Sequence, residues 1–151
     1  MNREMIVETI VKLFVGVDER NWILVKQVFC DFVLLDYSSM SSAKAEVLTP
    51  DKIIENWRNF LPGFDFTHHH IGNFMINLNP ETAEVFCYGT ATHYLKNESN
   101  SNIWTVVGSY NFDLQHFEEG WKISKMKFNF KFADGNFDLP KLAQERLLSN
   151  I

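Results

Sequence analysis

The stretch Phe66-Thr67-His68-His69-His70-Ile71-Gly72 opens the second half of the chain, which is rich in residues that favour β-strands. It holds three of the five histidines in the 151-residue sequence. Neighbouring side chains of a strand point to opposite faces, so His69 faces away from His68 and His70. All three therefore cannot bind one metal ion from a regular strand. Either His69 alone or the other two face inward, and composition does not decide which.

The rest of the second half is predicted to form an antiparallel meander. Apolar and β-branched residues occur in long runs that are separated by short segments rich in turn-forming residues. The predicted strands are 66–78, 83–96, 102–116 and 120–133, with turns at 79–81, 97–102 and 118–120. A short helix over 138–148 closes the chain.

The first half is predicted to be mainly helical. Gly16 is expected to end a first amphipathic helix, and Asp18 then stands where the N-cap of a second helix belongs. Thr49-Pro50-Asp51 begins a third helix, with an N-cap threonine, a proline at the first helical position and an acid in the first turn. The predicted elements are helices at 2–15, 21–29 and 50–60, a strand at 31–39 and a loop at 38–46.

Helices at the front followed by a meander predict an α+β fold. The expected architecture is a cone-shaped, curved antiparallel sheet that packs on three N-terminal helices and encloses a pocket. No repeat or linker divides the sequence, so a single domain over residues 1–151 is expected. Fourteen phenylalanines, concentrated between Phe60 and Phe137, predict a wide apolar interior, either a solid core or a lined pocket.

Composition and charge exclude several classes of partner. The formal charge is -5 and no basic cluster is present, which argues against nucleic acid. The charged start of the chain is unlike a signal peptide, and no apolar run has the length of a membrane span. Cys30 and Cys87 form no metal motif and are expected to be buried, reduced thiols. We therefore expect a cytoplasmic protein without nucleic-acid or membrane partners.

Two strand faces suggest a cavity. Val85, Cys87, Gly89, Ala91 and His93 share one face, and most of them are small enough to leave space beside it.

On the next strand, Thr105, Val107, Ser109, Asn111 and Asp113 share an unusually polar face. This face is either the solvated side of the sheet or a pocket wall that offers hydroxyl and amide groups to a carbonyl or enolate oxygen.

Asp18, Tyr37 and the histidines at 68–70 could take part in chemistry, but each also has a purely structural explanation. Asp18 is explained as a helix cap, and Tyr37 as a core residue whose hydroxyl lies at the rim. Each histidine of 68–70 is explained equally well as a ring that satisfies a carbonyl group.

Four short stretches resemble a known family. They are Val17-Asp18-Glu19-Arg20-Asn21-Trp22, Leu35-Asp36-Tyr37-Ser38, His68-His69-His70-Ile71-Gly72 and Gly108-Ser109-Tyr110-Asn111. Together they resemble the SnoaL-like group of the nuclear transport factor 2-like superfamily, and most closely its scytalone dehydratase branch. The resemblance extends from the first helix to the last strand.

The resemblance implies roles for particular residues. Asp18 would orient His69 as a general base, and Tyr37 would hold a water at the substrate carbonyl. His93 would be the second histidine, which helps a hydroxyl group to leave. Substrate contacts would come from Ser109, Asn111, Val17 and Trp22, although the family has a second tyrosine at the position of Val17.

The predicted function is that of a cofactor-free, metal-free acid–base enzyme. It would be a dehydratase-like lyase or an isomerase that acts on a small cyclic or aromatic hydroxy ketone. The alternatives are a non-catalytic protein that binds a small apolar ligand in the same pocket, and an interaction domain that dimerises through the open sheet face. A homodimer is expected in each case, because dimers are usual for the resembled fold.

Overall fold

The computed structural model describes residues 2–150, so the two ends of the predicted domain, Met1 and Ile151, lie outside the described residues. The helices are α1 (Asn2–Asp18), α2 (Trp22–Gln27), α3 (Pro50–Arg58) and α4 (Leu139–Ser149), and a 3-10 turn spans Leu61–Gly63. The strands are β1 (Phe29–Asp36), β2 (Glu46–Leu48), β3 (Phe66–Leu78), β4 (Thr82–Tyr94), β5 (Ile103–Phe117) and β6 (Gly120–Gly135). Within residues 2–150, no helix is long and apolar enough to cross a membrane.

The strands form one six-stranded sheet in the order β2-β1-β6-β5-β4-β3, which is curved but not closed. The predicted α+β fold is confirmed, and the four long strands lie within two residues of their predicted bounds. The sheet is not wholly antiparallel, however, because β1 pairs with β6 in parallel. β2 lies at the end of the predicted loop, and its three residues are too few for an alternating pattern to reveal a strand.

The junction between α1 and α2 differs from the prediction. Gly16 does not end α1, which continues to Asp18. A Cβ at Gly16 would lie 2.9 Å from Val25 Cγ2, so this glycine permits the close packing of the two helices. Arg20 then takes a left-handed conformation (φ 57°) that redirects the chain. The N-cap of α2 is Asn21, whose Oδ1 accepts a hydrogen bond from the Leu24 N–H at 3.1 Å.

One face of the sheet packs on α1 and carries the core. Buried and exposed residues alternate along β4 and β5, and the buried residues, which are mostly apolar, point to this inner face. It includes Val85, Cys87, Ala91, His93, Trp104, Val106, Tyr110, Phe112, Ile123, Met126 and Phe128, against Ile6, Ile10, Leu13, Phe14 and Val17 of α1. Both Cys30 and Cys87 are free and buried, as predicted.

We predict that Asn21→Ala lowers the free energy of unfolding by about 1 kcal/mol, because the first turn of α2 loses its side-chain acceptor. Asn21→Ser keeps an acceptor at this position and serves as the control. Urea denaturation of both variants measures the difference. Equal midpoints for the alanine and serine variants would show that Asn21 does not cap the helix.

Candidate active site

A carboxylate–imidazole hydrogen bond, largely shielded from solvent, joins the end of α1 to the start of β3. Asp18 Oδ1 lies 2.7 Å from His69 Nδ1, and the two side chains are 13% and 11% exposed. Asp18 Oδ2 also accepts a hydrogen bond from the His69 backbone N–H at 2.7 Å. Since a carboxylate accepts, His69 Nδ1 carries the hydrogen, and in the neutral form of the ring Nε2 carries the lone pair.

Two residues that the sequence did not single out hold Asp18 in place. The Thr67 hydroxyl donates to Asp18 Oδ1 at 3.0 Å and accepts from Arg20 Nη1 at 2.9 Å. Arg20 is itself fixed by hydrogen bonds to the carbonyl groups of Val17 and Leu61, each at 2.9 Å. The base and its carboxylate are therefore part of a network that also ties α1 to the 3-10 turn.

The position of Asp18 is unfavourable for a carboxylate unless it is compensated. It is the last residue of α1, where the partial negative charge of the helix dipole opposes a negative side chain. Burial raises the pKa of Asp18, but the hydrogen bonds and charge of His69 and the Thr67 hydroxyl outweigh burial, so the pKa is lowered overall. Asp18 is therefore ionised at neutral pH. It is not the N-cap of α2, so the helix-cap interpretation is wrong.

His69 is the histidine of its stretch that faces inward. It lines a cavity between the sheet and the helices, whereas His68 and His70 are exposed. Its ring lies 5.1 Å from that of Phe14 and 6.5 Å from that of His93, measured between centroids.

His93 lies on the neighbouring strand, also against the cavity, and is 4% exposed. Its Nδ1 lies 3.1 Å from the carbonyl oxygen of Trp104, so Nδ1 donates and Nε2 is an acceptor. Burial lowers the pKa of His93 to about 4, against the opposing effect of the Trp104 carbonyl. The ring is therefore neutral near pH 7, with a single tautomer.

The cavity has a volume of about 240 Å³. His69 and His93 contribute imidazole rings to it, Tyr37 and Tyr110 contribute phenol groups, and Val17 adds an apolar surface. The remaining walls come from Phe14, Met40, Trp57, Phe60, Leu61, Ala91, Trp104, Val106, Met126 and Phe128.

Three predicted substrate contacts do not line this cavity. Ser109 and Asn111 lie on the opposite face of β5, where Asn129 Nδ2 donates to Asn111 Oδ1 at 2.8 Å and to Ser109 Oγ at 3.2 Å. The polar face of β5 is thus the outer side of the sheet, and the prediction that it forms the pocket wall is wrong. Trp22 packs against the core but does not reach the cavity.

Tyr110 is the inward residue between Ser109 and Asn111, and sequence reasoning missed it. The signal was the more apolar alternate phase of β5, in which Tyr110 follows Trp104, Val106 and Gly108. Within residues 2–150, no group of three or more His, Cys, Asp or Glu side chains is placed to hold a metal ion.

Comparisons with known proteins identify the fold and family. Residues 2–127 match the model of a family described as "SnoaL-like domain". No curated protein matches the sequence. Among solved structures, protein Kfla4162 of Kribbella flavida is 21% identical with a TM-score of 0.87, over 93% of this chain and 97% of that one.

Two other similar structures have names that state a reaction. A provisional scytalone dehydratase of Novosphingobium aromaticivorans is 17% identical with a TM-score of 0.74, over 89% of this chain and 87% of that one. The hexachlorocyclohexane dehydrochlorinase LinA-type3 of Novosphingobium barchaimii is 13% identical with a TM-score of 0.73, over 89% and 90% of the two chains. At these identities the likeness shows the nuclear transport factor 2-like cone fold.

We predict that His93 makes the free energy of unfolding depend on pH between about 6.5 and 4. The unfolded imidazole binds a proton near pH 6.5, whereas the folded one resists it to about pH 4, so stability falls as pH falls through this window. The loss is on the order of 3 kcal/mol. Urea denaturation across this range measures it.

His93→Gln should remove this part of the pH dependence, and the exposed His68→Gln should keep it. If the two variants lose stability equally between these pH values, His93 is not buried in a neutral form.

Proposed function

This chain belongs to the SnoaL-like domain family, and we propose that its cavity catalyses acid–base elimination or isomerisation of a small cyclic or aromatic hydroxy ketone. The observation that carries the proposal is the Asp18–His69 pair. A charged carboxylate at the unfavourable end of a helix, oriented onto an imidazole that faces an apolar cavity, has no capping role. Such a pair is suited to remove a proton.

The names of the structural neighbours agree with this chemistry. A dehydratase removes water and a dehydrochlorinase removes hydrogen chloride. Either reaction takes a proton from carbon while a group leaves from the neighbouring carbon. Both need a positioned base, and neither name specifies the substrate of this chain.

In the proposed reaction, His69 Nε2 takes a proton from the carbon beside the substrate carbonyl. Asp18 holds the ring in the required tautomer and stabilises the imidazolium that forms. The electrons of the C–H bond pass into an enolate, whose oxygen is stabilised by the Tyr37 hydroxyl, directly or through a water. The apolar walls exclude bulk water and strengthen these interactions.

His93 then acts on the leaving group as an acceptor. Because Nδ1 donates to the Trp104 carbonyl, Nε2 accepts a hydrogen bond from the substrate hydroxyl and fixes its position. A neutral ring in this tautomer has no proton to give. The proton that turns the departing hydroxide into water therefore comes from the His69 imidazolium, which restores the base.

The size of the cavity supports a ring-sized substrate. An apolar cavity of about 150 Å³ holds benzene, and the volume here is about 240 Å³. One ring with substituents or a compact pair of fused rings matches this space. The same apolar walls favour the second candidate function, a protein that binds such a ligand without changing it.

We predict that Asp18→Asn and His69→Gln each lower turnover by about 10²- to 10⁴-fold, because the base loses its orientation or its lone pair. A suitable probe is the β-hydroxy derivative of α-tetralone, which loses water to give fluorescent α-naphthol. The parent protein is expected to accelerate this dehydration.

His68→Gln is the matched control, since this exposed neighbour on the same strand should keep full turnover. Binding of α-naphthol, measured by calorimetry, separates the two functions. Equal turnover in the His68 and His69 variants would reject His69 as the base. No acceleration by the parent protein, together with binding of α-naphthol, would reject catalysis and leave ligand binding as the function.

The outer face of the sheet supports the expected homodimer. Tyr88 and Phe132 are exposed there, and large exposed apolar patches mark interaction surfaces. We predict that the parent protein sediments as a dimer and that Phe132→Glu sediments as a monomer, because the new charge would be buried. Ile23→Glu, which changes an exposed residue of α2, should remain a dimer. A monomeric parent protein would exclude this interface.

A further inference from the structure

Two tyrosine side chains face the same cavity, whose walls are mostly apolar. Tyr110 of β5 is 3% exposed, and Tyr37 follows the end of β1. Both rings line the cavity, together with His69, His93 and the indole rings of Trp57 and Trp104. Val17 contributes no hydroxyl, so the hydroxyl groups that the lining residues offer to a ligand oxygen are these two phenols.

Burial keeps both groups protonated. It raises the pKa of Tyr37, and the Tyr110 hydroxyl offsets only part of this rise. Burial likewise raises the pKa of Tyr110, and the proximity of Tyr37 raises it further. The pair therefore offers O–H donors at any pH at which the protein is folded, and it does not act as a base.

Two glycines that face inward leave space for the tyrosine rings. A Cβ at Gly89 would lie 2.3 Å from Tyr110 Cε2, and a Cβ at Gly108 would lie 2.6 Å from Phe128 Cζ. Phe128 in turn stacks on Tyr37, with centroids 5.7 Å apart. The two inward glycines thus allow the aromatic layer that holds both tyrosines.

The Tyr110 ring is confined on several sides. Its centroid lies 5.0 Å from the rings of Phe14 and Phe128 and 5.6 Å from that of Phe112. A ring packed in this way holds its phenol oxygen in one place. Tyr37 is only partly buried, whereas Tyr110 is buried.

We propose that Tyr110 is a positioning residue that donates its hydroxyl proton to the Tyr37 oxygen and thereby directs the Tyr37 O–H into the cavity. Two hydroxyl groups supply two protons, and their mutual hydrogen bond uses one of them. The second proton is available to the oxygen of a bound ring ketone or its enolate. This inference rests on the proposed function and adds to it the class of ligand oxygen and the residue that orients its donor.

The test measures the carbonyl stretch of isotope-labelled α-tetralone by infrared spectroscopy, free and bound to the protein. A hydrogen bond to the carbonyl lowers this frequency. We expect a downward shift on binding to the parent protein, its loss in Tyr37→Phe and the loss of most of it in Tyr110→Phe. Tyr88→Phe, on the outer face, should retain the full shift.

A double-mutant cycle separates positioning from direct contact. If Tyr110 acts through Tyr37, the double variant Tyr37→Phe/Tyr110→Phe shows no larger loss than Tyr37→Phe alone. With the hydroxy ketone as substrate, Tyr110→Phe should lower kcat about tenfold and leave KM nearly unchanged, because one hydrogen bond to the developing charge is weakened. Both phenylalanine variants keep the ring, so the packing is maintained, and thermal unfolding verifies this.

Several results would overturn the proposal. These are an unchanged shift in Tyr110→Phe, additive losses in the double variant, or failure of both α-tetralone and the smaller acetophenone to bind. The outcomes also distinguish this inference from the proposed reaction. A carbonyl shift that depends on both tyrosines in a protein without turnover would support the pair and reject the enzyme.

Discussion

The ionised carboxylate of Asp18 is the constraint on which the rest of this structure depends. A buried charge at the negative end of a helix dipole is tolerated only if donors surround it. The donors come from β3, through the Thr67 hydroxyl and the backbone and ring of His69. The hydrogen bonds that tie the end of α1 to β3 are thus the bonds that fix the tautomer and direction of the proposed base. Removing the carboxylate would affect both packing and chemistry.

A second constraint is the alternation of side chains along each strand. Once one residue of a regular strand faces inward, every second residue from it also faces inward. On β5 that phase brings Trp104 and Tyr110 inward and leaves Ser109 and Asn111 outside. The cavity consequently contains few polar groups in apolar surroundings. Few competing partners and a low local dielectric make each remaining hydrogen bond stronger and more directional than it would be in water.

The sequence was informative where a signal is local. The strand-forming residues of 66–78 and the proline after Thr49 are local features, and the strand and helix start that they predict are confirmed. Gly16 was misinterpreted because a glycine that permits helix packing looks like a glycine that ends a helix. The roles of Arg20 and Tyr110 depend on contacts between residues that are distant in the chain, for which no spacing rule exists. The pairing of Asp18 with His69 was expected only from the family resemblance.

The tautomer of His93 adds a stereochemical consequence to the proposed mechanism. The Trp104 carbonyl fixes the hydrogen on Nδ1, so Nε2 holds the leaving hydroxyl but cannot protonate it. In the proposed arrangement, the two tyrosines are occupied by each other and by the carbonyl oxygen. His69 is then the one group that both removes a proton and returns it. A base that serves both steps from one position requires the departing proton and hydroxyl to lie on the same face of the ring, and so the cavity would select one stereoisomer of its substrate.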